Sequence, residues 1–242
     1  MSSFFTVRLA GLDVGVESRY EFMRGFCRDY MVDAAPVFTV QADSAAVSRQ
    51  MAMAEEPVTP EYAEALQLYR EMAEKLPLYD RAVFHGAAIE YGGKAYLFTG
   101  PSGIGKTTHI SLWRQYFGER VRIINGDKPI LRMKDGKIVV YGTPYAGKEG
   151  WQCNASAPLG GVCFLSRGRE NAVSALAPER AFTQFYQQTY KPHGVAAMMK
   201  TVEILRILST VPCFSLACDI SEEAAKASFA ALTGTREGEK TK

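Results

Sequence analysis

One stretch constrains the fold of this chain more than any other. Gly100-Pro101-Ser102-Gly103-Ile104-Gly105-Lys106-Thr107 satisfies G-x-x-x-x-G-K-[ST] at every fixed position. Ahead of it, Ala95-Tyr96-Leu97-Phe98-Thr99 is a short apolar, aromatic run with the pattern of a strand. Behind it, Thr108 to Phe117 reads as a helix, with Gly118 placed to end it. Glycines let successive backbone N–H groups turn inward, and a following helix N-terminus adds partial positive charge. Strand, glycine-rich turn and helix therefore predict an α/β fold with a cradle for phosphate oxygens. The residues assigned to it are Gly100, Pro101, Ser102, Gly103, Ile104, Gly105, Lys106, Thr107 and Thr108. Lys106 is expected to neutralise β- and γ-phosphate charge, and the Thr107 hydroxyl to hold Mg²⁺. A nucleoside triphosphate is the expected ligand. The alternative, a glycine turn matching by chance, leaves the flanking strand and helix unexplained.

Composition narrows the partners. The 242 residues suffice for one large domain, or one with a small extension. Lys+Arg 28 against Asp+Glu 26 leaves a net charge of +2 with no like-charge run, so neither nucleic acid nor a membrane is the expected partner. Met1-Ser2-Ser3-Phe4-Phe5 lacks a basic segment followed by an apolar one, and no stretch is long enough to span a bilayer. Five cysteines, odd in number and without C-x-x-C spacing, suggest buried free thiols in a reducing compartment. A cytoplasmic location is expected, with self-association into a homo-oligomer left open.

Residues 1–80 read as an N-terminal α+β block packed on the rest, because no low-complexity linker follows it. Phe5 to Ala10 and Pro36 to Val40 have strand patterns, with a short helix between them over Tyr20 to Met31. Thr59-Pro60 opens a clearer helix whose expected buried face is Tyr62, Leu66, Tyr69, Met72 and Leu76. Residues 81–234 are expected to form the nucleotide-binding unit, and 235–242 a polar tail expected to fray.

Within that second unit, Ala82 to Glu90 reads as a strand turning at Gly92-Gly93 into the strand before the glycine-rich loop. A two-residue turn there pairs residues whose numbers sum to 185, which sets His85 opposite Gly100. A glycine bulge would turn the ring to the other face. His85 is thus either an ionisable group beside the phosphate site or a core histidine bonded to backbone. Arg120 to Asn125 is a strand ending at Gly126-Asp127, where a nucleotide site holds Mg²⁺ or positions a nucleophile. Asp127 is the candidate, and capping the turn before Pro129 is its other reading.

Asp135-Gly136 is a strong hairpin signal between Ile130 to Lys134 and Lys137 to Tyr141. Gly142 to Trp151 follows, readable as a mobile substrate loop or an ordinary connection. Further on, Gly161 to Leu165 and Cys213 to Cys218 read as strands, and helices are expected from Pro178, over Val195 to Ser209, and over Ser221 to Leu232. Val195, Met198, Met199, Val202, Leu205 and Leu208 are the expected buried face of the middle one, its methionines core filling. His109 and His193 read as structural or surface residues.

Phe84-His85-Gly86, the short turn, and Leu97 to Thr107 resemble the catalytic domain of HPr kinase/phosphorylase, a family grouped in fold with the phosphoenolpyruvate carboxykinases. The interval between histidine and loop is the same. Gly142-Thr143-Pro144, Gly147, Gly150-Trp151 and Asn154 to Leu159 also resemble the downstream segment of HPr-kinase-related proteins. The resemblance covers about residues 82–170. It implies a twisted mixed β-sheet P-loop domain, ATP with Mg²⁺, and γ-phosphoryl transfer to a hydroxyl. In that family two adjacent aspartates follow the loop's helix, one activating the acceptor and one holding metal. The matching positions here are Gly126-Asp127, so one carboxylate is missing. That leaves open whether Asp127 holds Mg²⁺, acts as base, or shares both tasks with His85.

The leading expectation is a kinase with Asp127, His85 and Lys106 as catalytic residues, Thr107 and Asp127 as metal ligands, and a small-molecule, peptide or protein hydroxyl as acceptor. An ATP-binding regulatory protein with little phosphotransfer is the second reading, motivated by Gly126. A carboxykinase is the third, weakened by the short chain and by the lack of a His/Lys pair for an additional metal.

Overall fold

In the computed structural model, which describes residues 3–54 and 56–235, the chain opens on a tight hairpin. Strands β1 (Ser3–Leu9) and β2 (Leu12–Ser18) are joined by Ala10 and Gly11, both at positive φ. An alanine in that conformation gives no turn signal in the sequence, which is why β2 escaped the reading despite its alternating Leu12, Val14 and Val16. The expected helix over Tyr20 to Met31 shrinks to α1 (Phe22–Phe26), a 3-10 turn and strand β3 (Met31–Val32). Strand β4 (Phe38–Gln41) follows, then helix α2 (Ser44–Ala52), which Asp43 caps by accepting from the Ala46 N–H at 2.6 Å. The strands form a mixed sheet in the order β3-β1-β2-β4.

Helix α3 (Pro60–Lys75) starts where Thr59-Pro60 directed, the Thr59 hydroxyl accepting from the Tyr62 N–H at 3.3 Å. Tyr69, Met72 and Leu76 of the expected face are buried, joined by Ala63, Ala65 and Leu68, while Tyr62 is 37% exposed and Leu66 half buried. Alanine lets the helix approach closely, so the small residues go under. Glu64 is fully buried but satisfied, accepting from the Ser18 hydroxyl at 2.6 Å and the Arg19 N–H at 3.0 Å. The apolar core of this region continues into Val83, Ile130 and Tyr145.

The single strand expected over Ala82 to Glu90 is two. Strands β5 (Arg81–Val83) and β6 (Ala87–Tyr91) are separated at Phe84-His85-Gly86, and β7 (Lys94–Thr99) follows the Gly92-Gly93 turn. Helix α4 (Lys106–Phe117), stopped at Gly118, leads to β8 (Val121–Asn125). The Asp135-Gly136 hairpin joins β9 (Ile130–Lys134) and β10 (Lys137–Tyr141), both turn residues at positive φ. Then come β11 (Ser156–Arg167), β12 (Ala172–Ala175), α5 (Pro178–Gln188), α6 (Val195–Leu208), β13 (Cys213–Cys218) and α7 (Glu222–Thr233). Of the tail expected to fray, residues 236–242 lie outside the described residues.

Among the described residues these strands build one curled mixed sheet in the order β5-β9-β10-β11-β7-β6-β8, with β13 beside β11 and β12 beside β13. Strand β11 is shared: Ser156 to Pro158 pair with β10, and Val162 to Arg167 with β13, while Leu159 to Phe164 pair with β7 on its other side. Side chains of β7 alternate between two cores. Ala95 and Leu97 pack with Phe185 and Leu205 of α5 and α6; Tyr96 and Phe98 pack with Trp113 and Phe229 of α4 and α7. Trp113 is fully buried among these rings, and this anchors the helix behind the glycine-rich loop. Helix α6 corrects one expectation: Leu205 and Leu208 are buried, but Val195 is 77% and Met199 70% exposed, so that methionine does not fill the core. No described helix is long and apolar enough to cross a membrane.

Candidate functional site

Strand β7 ends at Thr99, and the chain reaches α4 through Gly100 (φ 146°), Gly103 (φ 73°) and Gly105 (φ 103°), backbone conformations that favour glycine. A Cβ at Gly100 would stand 2.9 Å from the Leu165 carbonyl oxygen. Pro101, Ser102 and Gly103 are exposed, and Ile104 packs toward the Trp113 core. Gly105 is the N-cap of α4 and supplies no side-chain cap, leaving the first N–H groups of the helix to solvent or a ligand. Lys106 folds back over the loop, its ammonium donating to the carbonyls of Gly100 at 3.2 Å and Pro101 at 3.3 Å. From the end of β11, Arg167 donates to the Gly103 carbonyl at 3.2 Å. Thr107 is half buried on the first turn of α4, and Thr108 is exposed.

His85 arrives beside this loop through the break between β5 and β6. Strands β6 and β7 pair Ala87 with Phe98 and Tyr91 with Lys94, the register whose sum is 185, and the Thr99 hydroxyl donates to the His85 carbonyl at 2.8 Å. Three successive amides then bond to three different segments. Phe84 N–H donates to the Pro129 carbonyl (3.1 Å), His85 N–H to that of Gln188 (2.8 Å), and Gly86 N–H to that of Asp127 (2.9 Å). The last bond ties the His85 segment directly to the Asp127 backbone. Side chains complete the link: Nε2 of His85 lies 3.5 Å from Oδ1 of Asp127, and Nδ1 lies 2.9 Å from Oε1 of Gln188.

Asp127 is held by the strand end that precedes it. Asn125 Oδ1 accepts from the N–H groups of Asp127 at 2.9 Å and Lys128 at 2.7 Å, while its amide donates to Thr143. The second carboxylate oxygen of Asp127 pairs with the ammonium of Lys128. The structure thus brings Asp127, His85 and Lys128 together near Lys106; Thr107 and Thr108 share no hydrogen bond with that group among the described residues. Burial pushes the His85 ring below its ordinary value, the Lys106 charge acts the same way, and Asp127 opposes both. Burial likewise lowers Lys106, with Asp127 opposing and Lys128 reinforcing. Lys128, Gln188, Asn125 and Arg167 were all missed from sequence. Asn125-Gly126-Asp127-Lys128 carried an Asx-turn signal for two of them; Gln188 and Arg167 come from distant elements and carried none.

Gly126 is explained by the segment that follows β10. A Cβ there would stand 2.8 Å from the Ala146 carbonyl oxygen and 3.8 Å from the Trp151 Cβ. Backbone of the Gly142 to Trp151 segment occupies the space where an adjacent carboxylate would start. Gly147 lies over Asp127 from the same segment, its own Cβ position 3.3 Å from that of Asp127. No protein-family model matches the chain, and no curated protein does. Among solved structures it is similar to the Hpr(Ser) kinase/phosphatase from Coxiella burnetii, with a TM-score of 0.37 and 10% identity, over 63% of this chain and 93% of that one.

The remaining histidines have structural partners. His109 is buried in the Trp113 core with Nε2 at 2.9 Å from the Ser228 hydroxyl, which also accepts from the Trp113 indole at 2.8 Å and donates to the Ala225 carbonyl at 3.0 Å. His193 is exposed and lies against Glu74.

Proposed function

We propose that the protein is an ATP- and Mg²⁺-dependent phosphotransferase that moves the γ-phosphoryl group to a hydroxyl. The observation that carries this reading is the Asp127 carboxylate, held between His85 and Lys128 beside a glycine-rich loop whose lysine raises the local positive potential. Phosphoryl transfer asks a protein mainly for positioning and charge neutralisation, and this cluster offers both. The loop suits a phosphate group: its glycines have the required φ values, Cβ positions at Gly103 and Gly105 face open space, and the helix behind it is uncapped. No set of three His, Cys, Asp or Glu residues converges among the described residues. A metal would therefore arrive with the nucleotide, Thr107 and Asp127 completing a shell of phosphate and water oxygens.

In this reading the loop N–H groups and Lys106 hold the β- and γ-phosphates. Lys106 exchanges its contacts to the Gly100 and Pro101 carbonyls for phosphate oxygens. Asp127 accepts the proton of the incoming hydroxyl, and Nε2 of His85, 3.5 Å from that carboxylate, shares it. Gly126 supports a single-carboxylate arrangement, since the neighbouring position has no room for a second. The test is nucleotide binding together with acceptor-dependent ATP consumption in the wild type and in Lys106→Ala. Binding is expected to weaken by at least about tenfold in the variant, and turnover to vanish. Undiminished ATP affinity in Lys106→Ala would remove the loop from the site. Tight ATP retention without turnover on any hydroxyl would favour a regulatory nucleotide-binding protein instead.

A further inference from the structure

A cavity of about 290 Å³ opens beside Asp127. None of residues 100–108 lines it, whereas Asp127 and Lys128 do, so Asp127 joins its wall to the His85 cluster. The opposite walls come from the first part of the chain: Gly25 and Phe26 of α1, Arg28 and Asp29 beyond it, and Tyr62 and Leu66 of α3. This accounts for the two α3 residues that the expected buried face included and the core does not use. The volume sits at the lower edge of ordinary small-ligand pockets, about 300–1,000 Å³, and suits a molecule the size of one amino acid.

The polar lining has a definite pattern. Cations and anions alternate, Lys128 beside Asp127 and Arg28 at 3.5 Å from Asp29. A zwitterion with a hydroxyl suits this lining. Its carboxylate matches the cations, its ammonium matches Asp29, and its hydroxyl matches Asp127.

We propose that this cavity binds the phosphoryl acceptor and that the acceptor is a free hydroxy amino acid. The binding claim stands on the cavity alone; the fate of the hydroxyl rests on the phosphotransferase reading. In the transfer, the hydroxyl oxygen bonds to the γ-phosphorus of ATP, the bond from that phosphorus to the β,γ-bridging oxygen breaks, and ADP leaves. The hydroxyl proton passes to the Asp127 carboxylate and from there to solvent.

The experiment uses the full chain and L-serine, L-threonine and L-homoserine as probes. Saturation-transfer NMR without nucleotide reads probe binding, and fluorescence of a labelled ATP analogue reads the nucleotide site on the same sample. Gly25→Leu enlarges the α1 wall of the cavity, where a Cβ meets no atom within 4 Å; Leu66→Phe enlarges the α3 wall and serves if the first variant does not fold. The expected result is binding of at least one probe, weakened by at least about tenfold in the wall variant with nucleotide affinity unchanged. Failure of all three probes to bind overturns the proposal, as does binding that the wall variants leave intact. A serine-containing peptide phosphorylated equally by wild type and wall variant overturns it too, moving acceptor recognition to a macromolecular surface. Nucleotide binding with no probe bound removes the cavity assignment alone; probe binding with no nucleotide bound removes the phosphotransferase reading alone.

Discussion

Nε2 of His85 faces Oδ1 of Asp127 at 3.5 Å, while Nδ1 of the same ring is fixed at 2.9 Å from Oε1 of Gln188. With the Gln188 oxygen accepting, the ring proton of the neutral imidazole sits on Nδ1, and two lone-pair faces meet across the gap between His85 and Asp127. A proton delivered there is held by both groups. Gln188→Leu removes the partner that fixes this tautomer. Turnover is expected to fall by about tenfold to a hundredfold with nucleotide affinity unchanged. Steady-state kinetics beside a binding titration check it, and a matched loss of affinity would make Gln188 a structural residue only.

The pH profile follows from the same ring. Burial and Lys106 lower His85 from its ordinary 6.5, so the ring takes up its proton at a more acid pH than a free imidazole. The acid limb of turnover is therefore expected below pH 6.5. Rates between about pH 5 and about pH 8 test this, and a limb centred above neutrality contradicts it.

Asp127→Asn keeps the shape of the site and removes the carboxylate proposed as its base. Acceptor-dependent turnover should drop by about 10²- to 10⁴-fold while ATP binding without metal changes little. A variant that keeps most of its turnover would transfer the proton-accepting role to another group.

Gly126→Asp rebuilds the adjacent carboxylates of the family that the sequence resembles, but its Cβ would enter at 2.8 Å from the Ala146 carbonyl. The backbone over Asp127 must move to admit it. We expect a stability loss of about 1–3 kcal/mol in urea denaturation and no gain in turnover. A faster enzyme of unchanged stability would contradict the packing account of Gly126.

Stability should fall with acidity through His109. Burial holds this ring near about 4 instead of 6.5, so above that upper value folded and unfolded chains both carry it neutral and it contributes no pH dependence. As pH falls below 6.5 the unfolded chain binds the proton first, and stability declines until pH reaches about 4, a loss of about 3 kcal/mol in all. The Ser228 hydroxyl donates to Ala225 and so accepts from His109, a bond that requires the proton on Nε2. His109→Phe should flatten this part of the stability curve. Equal slopes for variant and wild type in urea denaturation across that window would assign the acid loss to other groups.

Much of the geometry of the candidate site was legible because short-range signals fix it. Gly92 and Gly93 both take positive φ in the turn, and that sets the register bringing His85 to the level of Gly100. The strand after α4 ends at Asn125, and the Asx turn there delivers Asp127. What was hidden depends on distant contacts. The strand break at Phe84-His85-Gly86 arises because three amides bond to Pro129, Gln188 and Asp127, none of them near in sequence. On α3 and α6, periodicity marked Tyr69, Met72 and Leu205 for the core and they are buried, but it also marked Tyr62 and Met199, which remain exposed. Apolar spacing says which residues share a helix face, and packing partners decide whether that face is covered.

Strand β11 has a practical consequence for anyone dividing the chain into expressible pieces. Ser156 to Pro158 hold β10, Leu159 to Phe164 hold β7, and Val162 to Arg167 hold β13. A cut anywhere in this strand strips one fragment of a central neighbour and gives the other an unpaired edge open to self-stacking. Fusion points, tags and permuted termini belong instead at the Asp135-Gly136 turn, whose two residues are exposed and lie outside the β9–β10 register.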